Sequence, residues 1–246
     1  MYVNTMGLVL RETPYKESSK ILTVLTGREG KLTVTARGAL RRTGKLAAVT
    51  QHLAFSEMTL FSNRDRWTLT EARSVEQFLG LRDDIALLSL GAYFAELAEA
   101  VADEDSLNHE LLPLCLNALY ALSEKLKAPE YVKPAFEFRI MAVTGFKPFL
   151  DCCSSCGREK PESAFLDLSG GTIRCVDCGP ADDAYALGKG PLSAVRYIIG
   201  CDAKKLFSFT LGEDALRELS AAAEGYLLAH LDRRFRTLDF YKGIRD

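Results

Sequence analysis

Apolar and polar residues alternate through much of the first 75 residues of the chain. KLTVTAR (31–37) places Leu32, Val34 and Ala36 on one side of an extended chain and polar residues on the other. A period of two is typical of a half-buried β-strand. The preceding SKILTVLT (19–26) is rich in β-branched and aliphatic residues, and GREG (27–30) supplies a turn between the two segments. We therefore predict a β-hairpin over 19–37.

Three further segments are predicted to be strands. GLVLRET (7–13) is the opening strand, and LAFSEMTLF (53–61) and RWTLTEAR (66–73) form a second pair joined by the turn SNRD (62–65). All connections are short except residues 38–51. Five short antiparallel strands predict a small, partly open barrel, for which the OB-fold is the common solution. An SH3-like barrel is the competing interpretation. Phe55 and Phe61 are expected in the core of the barrel.

The apolar period becomes helical after residue 80. Residues 83–103 carry an apolar series at spacings of three and four, made of Ile85, Leu88, Ala92, Ala95 and Ala98. A second helix is predicted over 106–126, with Ser106 as N-cap and an apolar face of Leu111, Leu114, Leu119 and Leu122. Further helices are predicted over 129–146, where Gly145 ends the helix, over 191–200 and over 212–231. The fold class is thus α+β, with an OB-fold domain at 1–79, an α-helical domain at 80–150 and 185–246, and an insertion at 151–184.

The insertion contains two C-x-x-C pairs, Cys153 with Cys156 and Cys175 with Cys178, and a glycine follows each pair. Two matched pairs at this spacing place four thiolates around one tetrahedral ion, and four sulfur ligands favour zinc. We predict one structural zinc ion. Cys152 is spare, whereas Cys115 and Cys201 stand in apolar helical contexts and are expected in the core.

Catalytic interpretations of the sequence are weaker. A redox C-x-x-C usually stands alone, a catalytic zinc keeps an open position, and His52, His109 and His230 are scattered. The chain contains neither G-x-x-x-x-G-K-[ST] nor G-x-G-x-x-G, the phosphate-binding fingerprints. Pairs such as Asp83 and Asp84 fit helix caps. We therefore expect a protein that is not an enzyme.

Positive charge is concentrated near the N-terminus. The chain has a net charge of −2, but residues 1–45 carry nine basic side chains against three acids, a local charge of +6. ARGALRRTGK (36–45) alone holds four cations and no acid. A basic segment on an acidic body indicates an anionic partner, although a merely solvated loop is the alternative. No apolar run is long enough to span a bilayer and no signal peptide is evident, so we expect a cytoplasmic protein.

A barrel with a positive groove and aromatic platforms is typical of proteins that bind single-stranded nucleic acid. Trp67 is as well explained by a place in the core as by stacking on a base. Gly38 and Gly44 permit close approach to a phosphate backbone. The predicted nucleic-acid-binding residues are Arg37, Arg41, Arg42, Lys45, Lys31, Arg64 and Arg66.

The order of barrel, helical body and four-cysteine segment resembles the RecO family of bacterial recombination mediators over nearly the whole chain. The N-terminal matches are Tyr15–Lys16–Glu17, Thr26 followed by Gly30–Lys31–Leu32, and Ala36–Arg37–Gly38 leading to Arg41–Arg42. The two cysteine pairs match the family's zinc module. The chain departs from the family pattern at Gly44, His52 and Leu238–Asp239.

The resemblance implies binding of single- and double-stranded DNA, annealing of complementary strands, and loading of RecA with RecR on DNA coated by single-stranded DNA-binding protein, in association with the nucleoid. It also implies capture of that protein's acidic C-terminal tail, which we place on helices 129–146 and 191–200 with Lys133, Arg139 and Arg196 at the rim. An RNA-binding or ribosome-associated adaptor is the alternative. A protein-interaction scaffold is the third possibility.

Overall fold

Residues 2–76 form a closed five-stranded barrel in the computed structural model, which describes residues 1–41, 44–64, 66–104 and 108–245. The strands are β1 (Tyr2–Tyr15), β2 (Ser19–Thr26), β3 (Lys31–Ala36), β4 (Phe55–Asn63) and β5 (Arg66–Glu76). Their order is β1-β2-β3-β5-β4, and β4 pairs back with β1. This connectivity confirms the OB-fold over the SH3-like barrel. The expectation that every pair is antiparallel is wrong, because β3 and β5 run parallel.

The barrel core follows the alternation in the sequence. Leu32, Val34 and Ala36 of β3 are buried inside, as predicted. On β4 the inward positions belong to Ser56, Met58 and Leu60, so Phe55 and Phe61 are half-buried on the outer surface and are not core residues. The error arises because strand alternation, and not residue size, decides which face a side chain takes.

Among the described residues, three α-helices accompany the barrel in the first compact unit, Met1–Glu124 together with Phe235–Asp246. They are α1 (Ile85–Val101), α2 (Leu111–Ser123) and, numbered last in the chain, α6 (Arg236–Arg245). Asp84 caps α1, since its carboxylate accepts from the N–H groups of Ala86 and Leu87. The predicted N-cap Ser106 lies outside the described residues.

The apolar series of α1 is only partly covered. Ala95 and Ala98 are buried, but Ile85 is 60% exposed and Leu88 is 38% exposed. The sequence does not predict α6. Phe235, directly before this helix, packs edge-on against Tyr93 of α1, with the ring centroids 5.7 Å apart. The first turns of α1 therefore leave an apolar strip open beside α6.

Gly80 is required by a close approach of two backbone segments. A Cβ at this position would lie 2.1 Å from the carbonyl oxygen of Ser123, the last residue of α2. We expect Gly80→Ala to destabilise the protein by about 1–3 kcal/mol, because backbone atoms must move apart. Chemical denaturation measures the change. Gly200→Ala, where a Cβ meets nothing within 4 Å, is the matched control and should leave stability intact; equal stability of both variants would contradict the prediction.

The second compact unit, Lys125–Arg234, contains α3 (Pro129–Val143), α4 (Lys189–Gly200) and α5 (Glu213–Leu231). Gly145, at φ +98°, ends α3 as predicted, and the N–H of Phe146 reaches back to the Met141 carbonyl at 2.8 Å. A small sheet lies between α3 and α4 in the chain. It consists of β6 (Phe149–Cys153), β7 (Ala164–Asp167), β8 (Thr172–Cys175) and β9 (Ala184–Leu187), in the order β6-β8-β7-β9.

The domain boundaries predicted after residues 79, 150 and 184 stay predictions. Among the described residues, no helix combines the length and apolarity needed to cross a membrane.

Candidate nucleic-acid interface and metal centre

The small sheet brings the four predicted cysteine ligands together. Cys153 ends β6 and Cys175 ends β8, and each strand is followed by a turn that returns the second cysteine of its pair. The Sγ atoms of Cys153, Cys156, Cys175 and Cys178 all lie within 4.8 Å of one another. This cluster could hold a metal ion.

The sulfur geometry fits a tetrahedral centre. Bonds of about 2.3 Å from such a centre separate two sulfur atoms by about 3.8 Å. The Sγ atoms of Cys156 and Cys175 lie 3.7 Å apart. Gly157 and Gly179, which follow the two pairs, have φ values of +73° and +72°. A Cβ would meet nothing within 4 Å at either position, so the backbone conformation and not lack of space requires glycine.

Hydrogen bonds and crowding set the protonation of the cluster. Backbone N–H groups of Cys175 and Cys156 lower the pKa of Cys153 to about 6, and the Cys175 N–H lies 3.2 Å from its sulfur. At Cys178 the Ser155 hydroxyl lowers the pKa, but the neighbouring thiols outweigh it and raise the pKa to about 12. Four thiolates at these separations therefore need a bound cation to offset their mutual repulsion.

The remaining cysteines stand apart from this cluster. Cys115 is buried in α2, and burial raises its pKa to about 12, which agrees with its predicted place in the core. Cys152 and Cys201 are half-buried, so the expected place of Cys201 in the core is wrong.

The segment between β3 and β4, residues 37–54, is here called the basic loop. Three backbone hydrogen bonds follow one another along it. The N–H of Arg41 donates to the Gly38 carbonyl at 3.1 Å, that of Gly44 to the Arg41 carbonyl at 2.8 Å, and that of Ala47 to the Gly44 carbonyl at 3.0 Å. A Cβ at Gly44 would lie 3.0 Å from the carbonyl oxygens of Gly38 and Arg41, which explains the glycine there. The described residues of the loop are thus held by backbone hydrogen bonds.

One side of the basic loop packs against the barrel. Ala39 and Ala54 belong to the buried barrel core, and Leu46 packs against it. Thr50 is fully buried and its hydroxyl donates to the Leu46 carbonyl at 2.7 Å. The apolar side chains therefore close one end of the barrel.

The cations of the basic loop point into solvent. Arg37, Arg41 and Lys45 are exposed, and within the described part of the chain none of the three forms a salt bridge. Arg42 lies outside the described residues. These cations are therefore available to an external anion, and a merely solvated loop would show the same exposure.

The other three predicted contacts lie elsewhere. β3 and β5 are in parallel register from Val34 with Trp67 to Ala36 with Leu69. Arg66 precedes this register and Arg37 follows it, so the turn with exposed Arg64 and Arg66 lies at the opposite end of β3 from the basic loop. At that same end the Lys31 ammonium donates to the Glu99 carbonyl in the last turn of α1, at 3.0 Å.

The structure adds a neighbour to the basic loop. The turn between β1 and β2 touches the basic loop, because the Leu40 N–H donates to the Ser18 carbonyl at 3.0 Å. This turn carries exposed Lys16, whose ammonium lies 5.2 Å from the ring centroid of exposed Tyr15. The Tyr15–Lys16–Glu17 match in the sequence was the available signal. Trp67 is half-buried against the barrel core, which favours the core interpretation for this side chain.

The predicted basic rim on the third and fourth helices is wrong. Lys133 is buried between Glu137 and Glu224, at 2.8 and 3.0 Å. Burial by itself would lower the pKa of Lys133, but the two carboxylates hold it above its ordinary value. Arg139 donates to the Cys201 carbonyl, and Arg196 donates to the Leu150 and Pro161 carbonyls. All three cations are used inside the second unit.

Comparison with known proteins covers both units. The family model described as "Recombination protein O N terminal" matches residues 1–78, and "Recombination protein O C terminal" matches residues 82–239. The chain is similar to the DNA repair protein RecO of Acetivibrio thermocellus, with 31% identity over 244 residues, 99% of this chain and 97% of the relative. It is also similar to DNA repair protein RecO of Caldicellulosiruptor bescii (31% identity, 99% of each chain) and of Alkaliphilus metalliredigens (29% identity, 99% and 100%).

Proposed function

The chain belongs to the RecO family of DNA repair and recombination proteins, and on that basis we propose that it is a DNA-binding mediator that acts without hydrolysing nucleotides. It binds single- and double-stranded DNA and anneals complementary strands. With RecR it assists the loading of RecA on DNA coated by single-stranded DNA-binding protein, and it works in the cytoplasm at the nucleoid.

The observation that carries this proposal is the basic loop. Three exposed cations, Arg37, Arg41 and Lys45, stand on a folded element that closes an OB barrel, with no acid among the loop's first nine residues. Phosphates bind such cations regardless of sequence, which suits a protein that must act on any DNA. Lys16 on the touching turn extends the same surface. Arg42 remains part of the proposed surface on its sequence alone.

Arg64 and Arg66 form a second proposed contact at the opposite end of β3. Because they lie at the other end of the barrel from the basic loop, a single DNA strand that contacts both would follow the surface of the β-sheet between them. Lys31 contributes less to this proposal because its ammonium already caps a carbonyl of α1. The acidic tail of single-stranded DNA-binding protein remains a proposed partner, without the groove that the sequence assigned to it.

We propose that the metal ion of the cysteine cluster is zinc and that its role is structural. Four thiolates favour zinc over harder cations, and a closed set of four protein ligands leaves no position for a substrate. The ion would join the ends of β6 and β8 and so hold the insertion in its fold.

Competition between matched strands tests the function. A labelled DNA single strand is titrated with the whole protein across a salt series, and unlabelled DNA or RNA of the same sequence is used as competitor. We expect log affinity to fall linearly with log salt at a slope of about −2 or steeper, since each phosphate contact contributes about 0.7.

DNA should compete better than RNA. A stronger effect of RNA would favour the RNA-binding adaptor, and affinity independent of salt would favour the interaction scaffold; either result contradicts the proposal.

A further inference from the structure

A groove in the first unit lies where the end of the basic loop meets α1 and α6. It encloses about 790 Å³, a size within the range of roughly 300–1,000 Å³ common for ligand pockets. Its apolar floor consists of Ile85 and Leu88 of α1 and Phe240 of α6, which is 56% exposed. Three large apolar side chains that face one cavity and stay exposed mark a binding surface.

The contacts of α6 with the rest of the unit determine which of its side chains line the groove. Phe235, Leu238 and Tyr241 are buried, at the spacing of one helix face. The first turn is fixed by Glu96 of α1, whose carboxylate accepts from the Thr237 N–H at 3.1 Å. Arg236 and Phe240, four residues apart, consequently share the face that lines the groove.

Charge and hydrogen-bonding groups surround the apolar floor. Exposed Arg236 and Arg82 stand at the rim, and Arg82 also donates to the Gln51 side-chain oxygen at 2.6 Å. His52 belongs to the polar wall. Burial lowers its pKa, against the opposing influence of Glu12 and of a hydrogen bond to the Leu10 backbone. That bond occupies one ring nitrogen, and in the neutral ring the other nitrogen is an acceptor.

We propose that this groove receives an unpaired base of the nucleic-acid strand that the basic loop binds, with the flanking phosphates on Arg236 and Arg82. A nucleotide combines an anionic phosphate, an apolar ring face and a polar ring edge, and the groove offers a partner for each. Gln51 and His52 belong to the basic loop, and Lys20, another residue that lines the groove, is paired with Ala36, directly before Arg37, so the groove lies beside the start of the loop. An acidic apolar peptide would match the same rim and floor, and the neighbouring cations of the basic loop, which are proposed to hold the strand, favour a base as the occupant.

This inference rests on the proposed function, and the test separates the two. Wild-type protein and Phe240→Ala are titrated with oligo(dT) and with an abasic strand of equal length, across a salt series. Loss of one stacking partner should lower the affinity for oligo(dT) about tenfold. The affinity for the abasic strand and the salt slope should not change, because a phenyl ring releases no counterions.

Phe149→Ala, which removes an exposed phenylalanine from β6, is the matched control and should bind both strands as the wild type does. Arg236→Gln should reduce the salt slope by about 0.7. Equal binding of oligo(dT) by wild type and Phe240→Ala would overturn the base pocket while the basic loop stands. Equal losses on both strands would also overturn it. Absence of salt-dependent binding by the wild type would overturn the proposed function together with the pocket.

Discussion

Replacement of Cys175 by serine is expected to release the metal ion and to unfold the insertion around it. Cys175 is fully buried at the end of β8, its sulfur lies 3.7 Å from that of Cys156, and its N–H donates to Cys153. Serine has nearly the same size, so the variant removes a thiolate without opening a cavity. Structural zinc contributes on the order of 10 kcal/mol to the folding of small modules, and three remaining thiolates would retain only part of this.

Metal content per chain and thermal unfolding of the purified protein measure the effect together. Cys152→Ser is the control, because Cys152 precedes the cluster directly but is not among its four sulfurs. It should keep one zinc ion per chain and unfold at the wild-type temperature. A Cys175→Ser protein with full zinc content and unchanged unfolding would refute the tetrathiolate site.

The second large effect is expected for the basic loop. Changing Arg37, Arg41 and Lys45 together to glutamine would remove the three proposed phosphate contacts, which should flatten the slope of log affinity against log salt by about 2.1 for a single strand. Affinity near 0.1 M salt should fall about a hundredfold, and equally for every sequence. Thermal stability should hardly change, because exposed cations contribute little to folding.

A charge-matched variant controls for net charge alone. Lys125, Lys204 and Lys205 are exposed in the second unit, and their change to glutamine alters the net charge by the same amount. This variant should keep the wild-type slope within experimental error. If both triple variants lose affinity equally, the loop acts only through overall charge and the contacts assigned to it do not exist.

Local patterns were sufficient for the barrel strands and for the four cysteines. A period of two in KLTVTAR predicts the buried set Leu32, Val34 and Ala36 because each residue's face depends only on its neighbours. The two C-x-x-C pairs predict their own cluster for a similar reason, since each pair is a single turn and only one long-range contact is needed to join them.

Features that depend on distant partners were not predictable. The buried position of Lys133 depends on Glu224, which lies 91 residues away in the chain. A lysine flanked by aromatic residues looks the same in the sequence whether it faces water or two carboxylates. The exposure of Ile85 and Leu88 is a similar case, because an apolar series indicates a helix face but not whether another element covers it.

The position of α6 sets the order in which the protein can mature during synthesis. Tyr93 and Glu96 of α1 find their partners in Phe235 and Thr237, which the ribosome adds about 140 residues later. At roughly 5–20 residues per second, this delay lasts roughly 7–28 s. The barrel can form its strand pairs in this interval, but the aromatic face of α1 must wait for its partner. During that time this face of α1 lacks its cover, and the first unit is complete only once α6 has emerged.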